Sequence, residues 1–148
     1  MTKIYLDDVR TPVDKDWTIV RDYEQFVSKI QDIGLENIEL ISLDHDLGES
    51  AMQEYYTNTK PNFSLDYNNI TEKTGLDCAR YLVAESMTKK IPLPQIYVHS
   101  ANPIGSANMI GYINNYFRNN KCAFRTNFFL YYSSGRTIFF FSKKEIEV

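Results

Sequence analysis

ISLDHDLGE, residues 41–49, is an apolar run that stops abruptly at two carboxylates flanking an imidazole. Two other segments repeat the design: IYLDDVRTP at 4–12 and IYVHSANPIG at 96–105. In each, the run reads as a buried strand and the polar tail as the loop leaving its carboxyl end. Ligands of open α/β sheets bind outside those ends, so the three tails are expected to converge on one pocket. It would gather Asp7, Asp8, Asp44, His45, Asp46, His99, Ser100 and Asn102, and the chain's 2 histidines both fall among them. The pattern points to a site for a divalent metal and a phosphate.

Working outward, the first strand covers about Lys3–Asp7, and a second runs over Trp17–Val20. Only eight residues separate Asp8 from Trp17, Pro12 among them. A parallel crossover normally takes about a dozen or more residues, so no full helix fits there. Asp22, with Gln25 three positions on, caps a helix whose apolar face is Tyr23, Phe26, Val27 and Ile30, and Gly34 ends it. Residues 39–43 then form the strand that delivers Asp44, His45 and Asp46.

Residues 49–73 are rich in Tyr, Asn and Thr and show no clear period. So long a loop inside a compact domain is usually functional or mobile, and this one is expected to be an insertion serving as a lid, or a plain surface insertion. Thr74 and Asp77 start the next helix, with Leu76, Ala79, Val83 and Met87 on its apolar face. After the strand Gln95–His99 another helix, starting near Ser106, presents Met109, Ile110, Ile113 and Phe117. A hairpin over residues 123–142 turns at Ser133-Ser134-Gly135. Strands alternating with helices indicate a parallel sheet with helices on its faces, in a single domain over 1–148.

With 148 residues, 43% of them hydrophobic and 14% aromatic, the chain has material for a folded core. It has no apolar stretch of about 18 residues to cross a membrane. The first strand begins too early for a signal peptide. Cys78 and Cys122 lack metal-type spacing and read as small apolar residues of a reduced compartment, so a cytoplasmic location is expected. The net charge of −3 hides an acidic body, with 10 Lys+Arg against 17 Asp+Glu in residues 1–117, and a basic tail with 6 against 2. That balance suits a cation within the body and does not resemble the basic patch of a duplex-DNA binder.

Asp7, Asp8, Asp44 and Asp46 would crowd four like charges, which is stable around a hard divalent cation or with one carboxyl protonated. Mg²⁺ suits carboxylates and phosphate; coordination by His45 or His99 would favour Mn²⁺. The competing reading makes some of these acids loop caps or ion-pair partners, Asp8 beside Arg10 above all. An imidazole titrates near neutrality, so a histidine facing the ligand would be the natural general acid or base. His99 and Ser100 point to opposite faces while the strand lasts, which leaves a buried structural role open for His99. Asn102 would hold phosphate oxygens or cap the loop.

With these residues in view, the chain resembles a receiver-type domain, and more narrowly the branch described as cyclic-phosphate processing receiver domains. LDDVRTP, SLDHDLG and VHSANPIG carry the likeness, which extends loosely over residues 1–118. It implies a receiver-like (flavodoxin-type) parallel sheet with flanking helices, from which this chain departs in a first crossover helix missing or minimal, the 49–73 insertion and an added C-terminal hairpin. Asp7 and Asp8 match the Mg²⁺-holding acidic pair, Asp44 matches the aspartate that ligates metal and accepts phosphate, and Ser100 matches the hydroxyl residue ending the fourth strand. No Lys-Pro stands at an evident fifth strand, where Arg125 could supply a cation.

The expected function is a metal-dependent phosphoesterase acting on a cyclic phosphate, either a 2′,3′-cyclic RNA end or a cyclic nucleotide. Asp7, Asp8, Asp44 and Asp46 would hold Mg²⁺ or Mn²⁺, with Asp44 alternatively the nucleophile. His99 or His45 would protonate the departing oxygen. Arg10, Ser100, Asn102 and Arg125 would neutralise the phosphate. The alternative is a non-catalytic receiver-like module that binds metal, nucleotide or a partner protein.

Overall fold

A computed structural model describes residues 1–120. The hairpin expected at 123–142, Cys122 and Arg125 lie outside the described residues. Four strands, β1 (Thr2–Leu6), β2 (Trp17–Val20), β3 (Ile38–Leu43) and β4 (Gln95–Val98), form one sheet in the order β2-β1-β3-β4. All three pairings are parallel. In register, Ile4, Ile41 and Ile96 line up across the sheet, as do Leu6, Leu43 and Val98, and all six are buried. Burying each such side chain contributes about 1.5–3 kcal/mol. The alternate row, Tyr5–Ser42–Tyr97, faces the other way.

The β1–β2 crossover contains no helix, as its length required. A strap replaces it. Arg21, just past β2, donates from Nη1 to the carbonyls of Asp7 (2.8 Å) and Arg10 (2.6 Å) and from Nη2 to Thr11 Oγ1 (2.9 Å). One guanidinium thus satisfies the acceptors that a crossover helix would have paired internally.

Helix α1 (Tyr23–Ile33) is capped by Asp22, whose Oδ1 accepts from Gln25 N, and it ends at Gly34. Its Phe26 and Ile30 enter the core. The short helix α2 (Glu49–Glu54) leads through a π-helical turn, Tyr55–Thr59, into the helical residues Lys60–Asn62 (α3). The structureless loop expected from 49 onward is therefore corrected for its first half. The wide turn ends two residues before Pro61, whose missing N–H and bulky ring an α-helix accommodates poorly.

What holds this segment is polar. The buried Glu54 accepts from Asp66 N (2.9 Å), Asn58 Nδ2 (2.8 Å) and Asn69 Nδ2 (2.9 Å). Glu72 accepts from Ala51 N (2.8 Å) and from the Ser50 hydroxyl. The Asp66 N–H does most to hold the Glu54 carboxyl below the ordinary glutamate range; burial opposes it, and Asn69 and Asn58 assist. A depressed carboxyl stabilises the fold above its unfolded-state pKa and loses that contribution as pH falls. The stabilisation is thus complete above about pH 4.5 and fades below it. Glu54→Gln is expected to cost about 1–3 kcal/mol at neutral pH and to speed amide exchange across 49–69 while flattening its acid dependence. Hydrogen exchange measured from pH 6 down to pH 3 checks both.

Helix α4 (Gly75–Lys89) opens at the expected Thr74 and Asp77, which form a capping box, with Asp77 Oδ2 accepting from Thr74 N at 2.9 Å. Its buried face is Leu76, Cys78, Ala79, Leu82, Val83 and Ser86. Met87, expected on that face, is exposed instead, because the buried stripe drifts around the helix by its last turn. Cys78 is an apolar core residue, as its sequence context suggested. Helix α5 (Pro103–Asn119) starts three residues before the expected Ser106, with Pro103 at its first position and Asn102 as its cap. Met109, Ile113 and Tyr116 bury its inner face, and α5 packs on α4. No helix among the described residues is long and apolar enough to cross a membrane.

Candidate functional site

The site forms where β1, β3 and β4 end side by side. The two-residue period places Tyr5 with Asp7, Ser42 with Asp44 and Tyr97 with His99, all in the alternate row of the sheet. Asp7, Asp44 and His99 consequently meet, each offering one potential ligand atom within 4.8 Å of the others. The convergence anticipated for these three tails is what the fold produces.

Each carboxylate is half committed to the backbone. Asp7 Oδ1 accepts from the N–H groups of Val9 and Arg10, while Asp44 Oδ1 accepts from His45 N at 2.8 Å. Their other oxygens face the common centre, where Arg10 spans them. Its Nε lies 2.6 Å from Asp7 Oδ2 and its Nη2 2.8 Å from Asp44 Oδ2. His99 Nε2 lies 3.1 Å from Asp7 Oδ2, and its Nδ1 lies 2.7 Å from Ser42 Oγ. The imidazole stacks on Tyr5 with centroids 4.4 Å apart, and Trp17 meets Tyr5 edge-on. Packing and two hydrogen bonds therefore fix the ring's orientation.

Charge follows this geometry. Burial alone would raise the Asp7 carboxyl, but His99, the Arg10 and Val9 N–H groups and the Arg10 charge outweigh it and hold it at about 2. Asp8 goes the other way, raised by burial and by the charges of Asp44 and Asp7. Burial disfavours the charge on Arg10, yet Asp44 and Asp7 push its pKa above the ordinary value. A guanidinium seated on two carboxylates shows that the centre attracts a cation. The two carboxylate oxygens also suit a divalent metal, so Asp7 and Asp44 could hold one, with the His99 imidazole beside it. Asp8 flanks this group without belonging to it.

The remaining expected residues are not gathered there. His45 is fully buried: its Nδ1 lies 2.7 Å from Asp46 Oδ1 and its Nε2 3.0 Å from Tyr67 Oη. Asp46 also accepts from Asn102 Nδ2 at 3.1 Å, and Asn102 Oδ1 caps α5 through Gly105 N at 2.9 Å. Ser100 Oγ is buried and accepts from Asn102 N at 3.2 Å. His45, expected in catalysis, Asp46, expected on the metal, and Ser100 and Asn102, expected on phosphate, thus form a hydrogen-bonded cluster beside the Asp7–Asp44–His99 group. These side chains are spent on each other, locking the turn after β3 to the start of α5.

That lock is tight. A Cβ at Gly105 would lie 2.3 Å from the His45 ring, and one at Gly75 would lie 1.9 Å from the carbonyl oxygen of Asp44. Gly75 N also donates to His45 O at 2.9 Å. Helices α4 and α5 thus press directly against the turn that carries Asp44. Sequence reading overlooked Tyr5, Ser42, Arg21 and Tyr67. For Tyr5 and Ser42 the signal was available, since each stands on a strand two residues before the site carboxylate that follows its end.

A family profile described as cyclic-phosphate processing Receiver domain matches residues 2–115. No curated protein and no solved structure matches the chain. The matched stretch takes in all four strands and every residue of the Asp7–Asp44–His99 centre. The chain therefore belongs to the cyclic-phosphate processing receiver domain family, with the parallel α/β sheet that this implies.

Proposed function

We propose that the protein is a metal-dependent phosphoesterase that opens a cyclic phosphate, on a 2′,3′-cyclic RNA end or in a cyclic nucleotide. The observation that carries this reading is the meeting of Asp7, Asp44 and His99 at the carboxyl edge of the sheet, with Arg10 over them. Asp7 and Asp44 would hold Mg²⁺ or Mn²⁺, and Asp8 adds negative charge beside them. A divalent cation there supplies positive charge to a phosphoryl oxygen and acidity to a water molecule.

The chain's own groups do the rest. Arg10, whose side chain is 47% exposed, can turn its fork from the carboxylates to two phosphoryl oxygens. His99 is oriented by Ser42 and Tyr5 and would carry a proton at Nε2 to the departing ribose oxygen as the phosphorus–oxygen ring bond breaks. Water supplies the new oxygen on phosphorus, and the product is a monoester. Val9 and Val13 stand exposed on the loop that bears Arg10, offering apolar surface to a nucleoside.

The test is incubation with Mn²⁺ or Mg²⁺, an oligoribonucleotide ending in a 2′,3′-cyclic phosphate, and a panel of cyclic nucleotides. Metal-dependent appearance of a monoester on at least one substrate is the expected result. One observation favours the other reading, a binding module without turnover: the Arg10 guanidinium already supplies a positive charge to both Asp7 and Asp44. Metal binding without turnover of any substrate would favour that reading over the enzyme.

A further inference from the structure

Arg10 is built as a pivot, with a fixed backbone and a half-exposed head that grips two carboxylates. Its backbone is tied at both ends of the residue: N–H donates to Asp7 Oδ1, and the carbonyl accepts from Arg21 Nη1 at 2.6 Å. Its side chain is nearly half exposed, so solvent lies open to the guanidinium once it leaves the acids. The oxygens that it grips, Oδ2 of Asp7 and Oδ2 of Asp44, are those not already taken by backbone N–H groups. A divalent cation drawn to this centre needs the same two oxygens. The guanidinium and the cation are therefore alternative occupants, and each repels the other.

We propose that Arg10 determines what the centre accepts: a divalent cation together with a phosphoryl anion, in preference to the bare cation. This rests on the metal reading above and adds a coupling to it. A cation arriving alone must break two charge-assisted hydrogen bonds and leave Arg10 beside it without a counter-ion. A cation arriving with phosphate gives the displaced guanidinium two oxygens to hold. By linkage, phosphate tightens the cation and the cation tightens phosphate by the same factor. The pairing selects for phosphate-bearing ligands before any bond is broken.

Mn²⁺ titration of the full chain, with the free ion followed by electron paramagnetic resonance, tests this with and without inorganic phosphate. Arg10→Met is expected to bind Mn²⁺ about tenfold more tightly than wild type without phosphate. Phosphate is expected to tighten Mn²⁺ binding by about tenfold in wild type and hardly at all in the variant. Arg10→Lys, which keeps the charge but loses the two-pronged grip, is expected to fall between them, and it carries the test if the methionine variant does not fold. Equal Mn²⁺ affinity in wild type and both folded variants would overturn the role of Arg10 while leaving the metal reading intact. No Mn²⁺ binding by any of the proteins would overturn both.

Discussion

Under the proposed phosphoesterase activity, Asp44→Asn is expected to lower turnover of a cyclic phosphate by about a thousandfold or more while leaving a folded protein. The carboxylate is one of three groups that meet at the centre, and its Oδ2 faces the position where charge must be stabilised. Asparagine is nearly isosteric and can still accept from His45 N through its carbonyl, so the turn after β3 keeps its backbone bond. Its NH₂ group then faces the Arg10 Nη2 donor, and the clamp opens on that side. The loss of that charge-assisted bond at a half-exposed site should cost about 1–2 kcal/mol. Activity and thermal melting measured on the same sample separate the two effects. Unchanged turnover in a metal-loaded Asp44→Asn sample would remove Asp44 from the chemistry.

Gly75→Ala should produce the largest loss of stability. Its Cβ would sit 1.9 Å from the Asp44 carbonyl oxygen and 2.8 Å from Met109 Sδ. The thioether can swing aside; the carbonyl is backbone and cannot. Either α4 retreats from the sheet or the turn bearing Asp44 moves, and both undo packing around Leu76 and Met109 in the core. Destabilisation of about 3 kcal/mol or more is expected, or roughly a 10 °C fall in melting temperature. Gly111→Ala is the control. Nothing lies within 4 Å of its added methyl on α5, so it should instead stabilise by about 0.5–1 kcal/mol. Comparable melting curves for the two variants would contradict the close approach of α4 to the site.

The strands were legible because each apolar run ends at a charged or polar residue, and the bare β1–β2 crossover followed from counting residues between Asp8 and Trp17. Residues 49–62 were illegible for a definite physical reason. Their buried positions, Ala51, Glu54 and Thr59, are spaced three and then five apart, because the π-helical turn inserts a residue into the helical period. Two of the three are polar, so no apolar stripe marks the helix. A buried glutamate satisfied by three donors leaves no trace in a hydropathy pattern.

The site was legible by residue type and only partly by role. Asp7, Asp44 and His99 meet because β1, β3 and β4 are adjacent and parallel, which the alternating pattern already implied. His45 and Asp46 share the same acidic triplet yet bond to Tyr67 and Asn102 beside the centre, since the chain turns after Asp44 and α5 arrives over it. What takes them out of the site is the contact with Gly105, Asn102 and Tyr67, residues 21 to 60 positions distant along the chain. Local sequence carries no sign of such partners. Asn102 turned out to be a helix cap, the role that its position before Pro103 also allowed.

An anomalous-difference map from a crystal soaked in Mn²⁺ with inorganic phosphate tests the central claim most directly. It should show one strong peak against the Asp7 and Asp44 carboxylates, near His99, with the Arg10 head turned away from both carboxylates and onto the anion. A map with no peak there, and Arg10 still bridging the two acids at saturating Mn²⁺, would contradict the account.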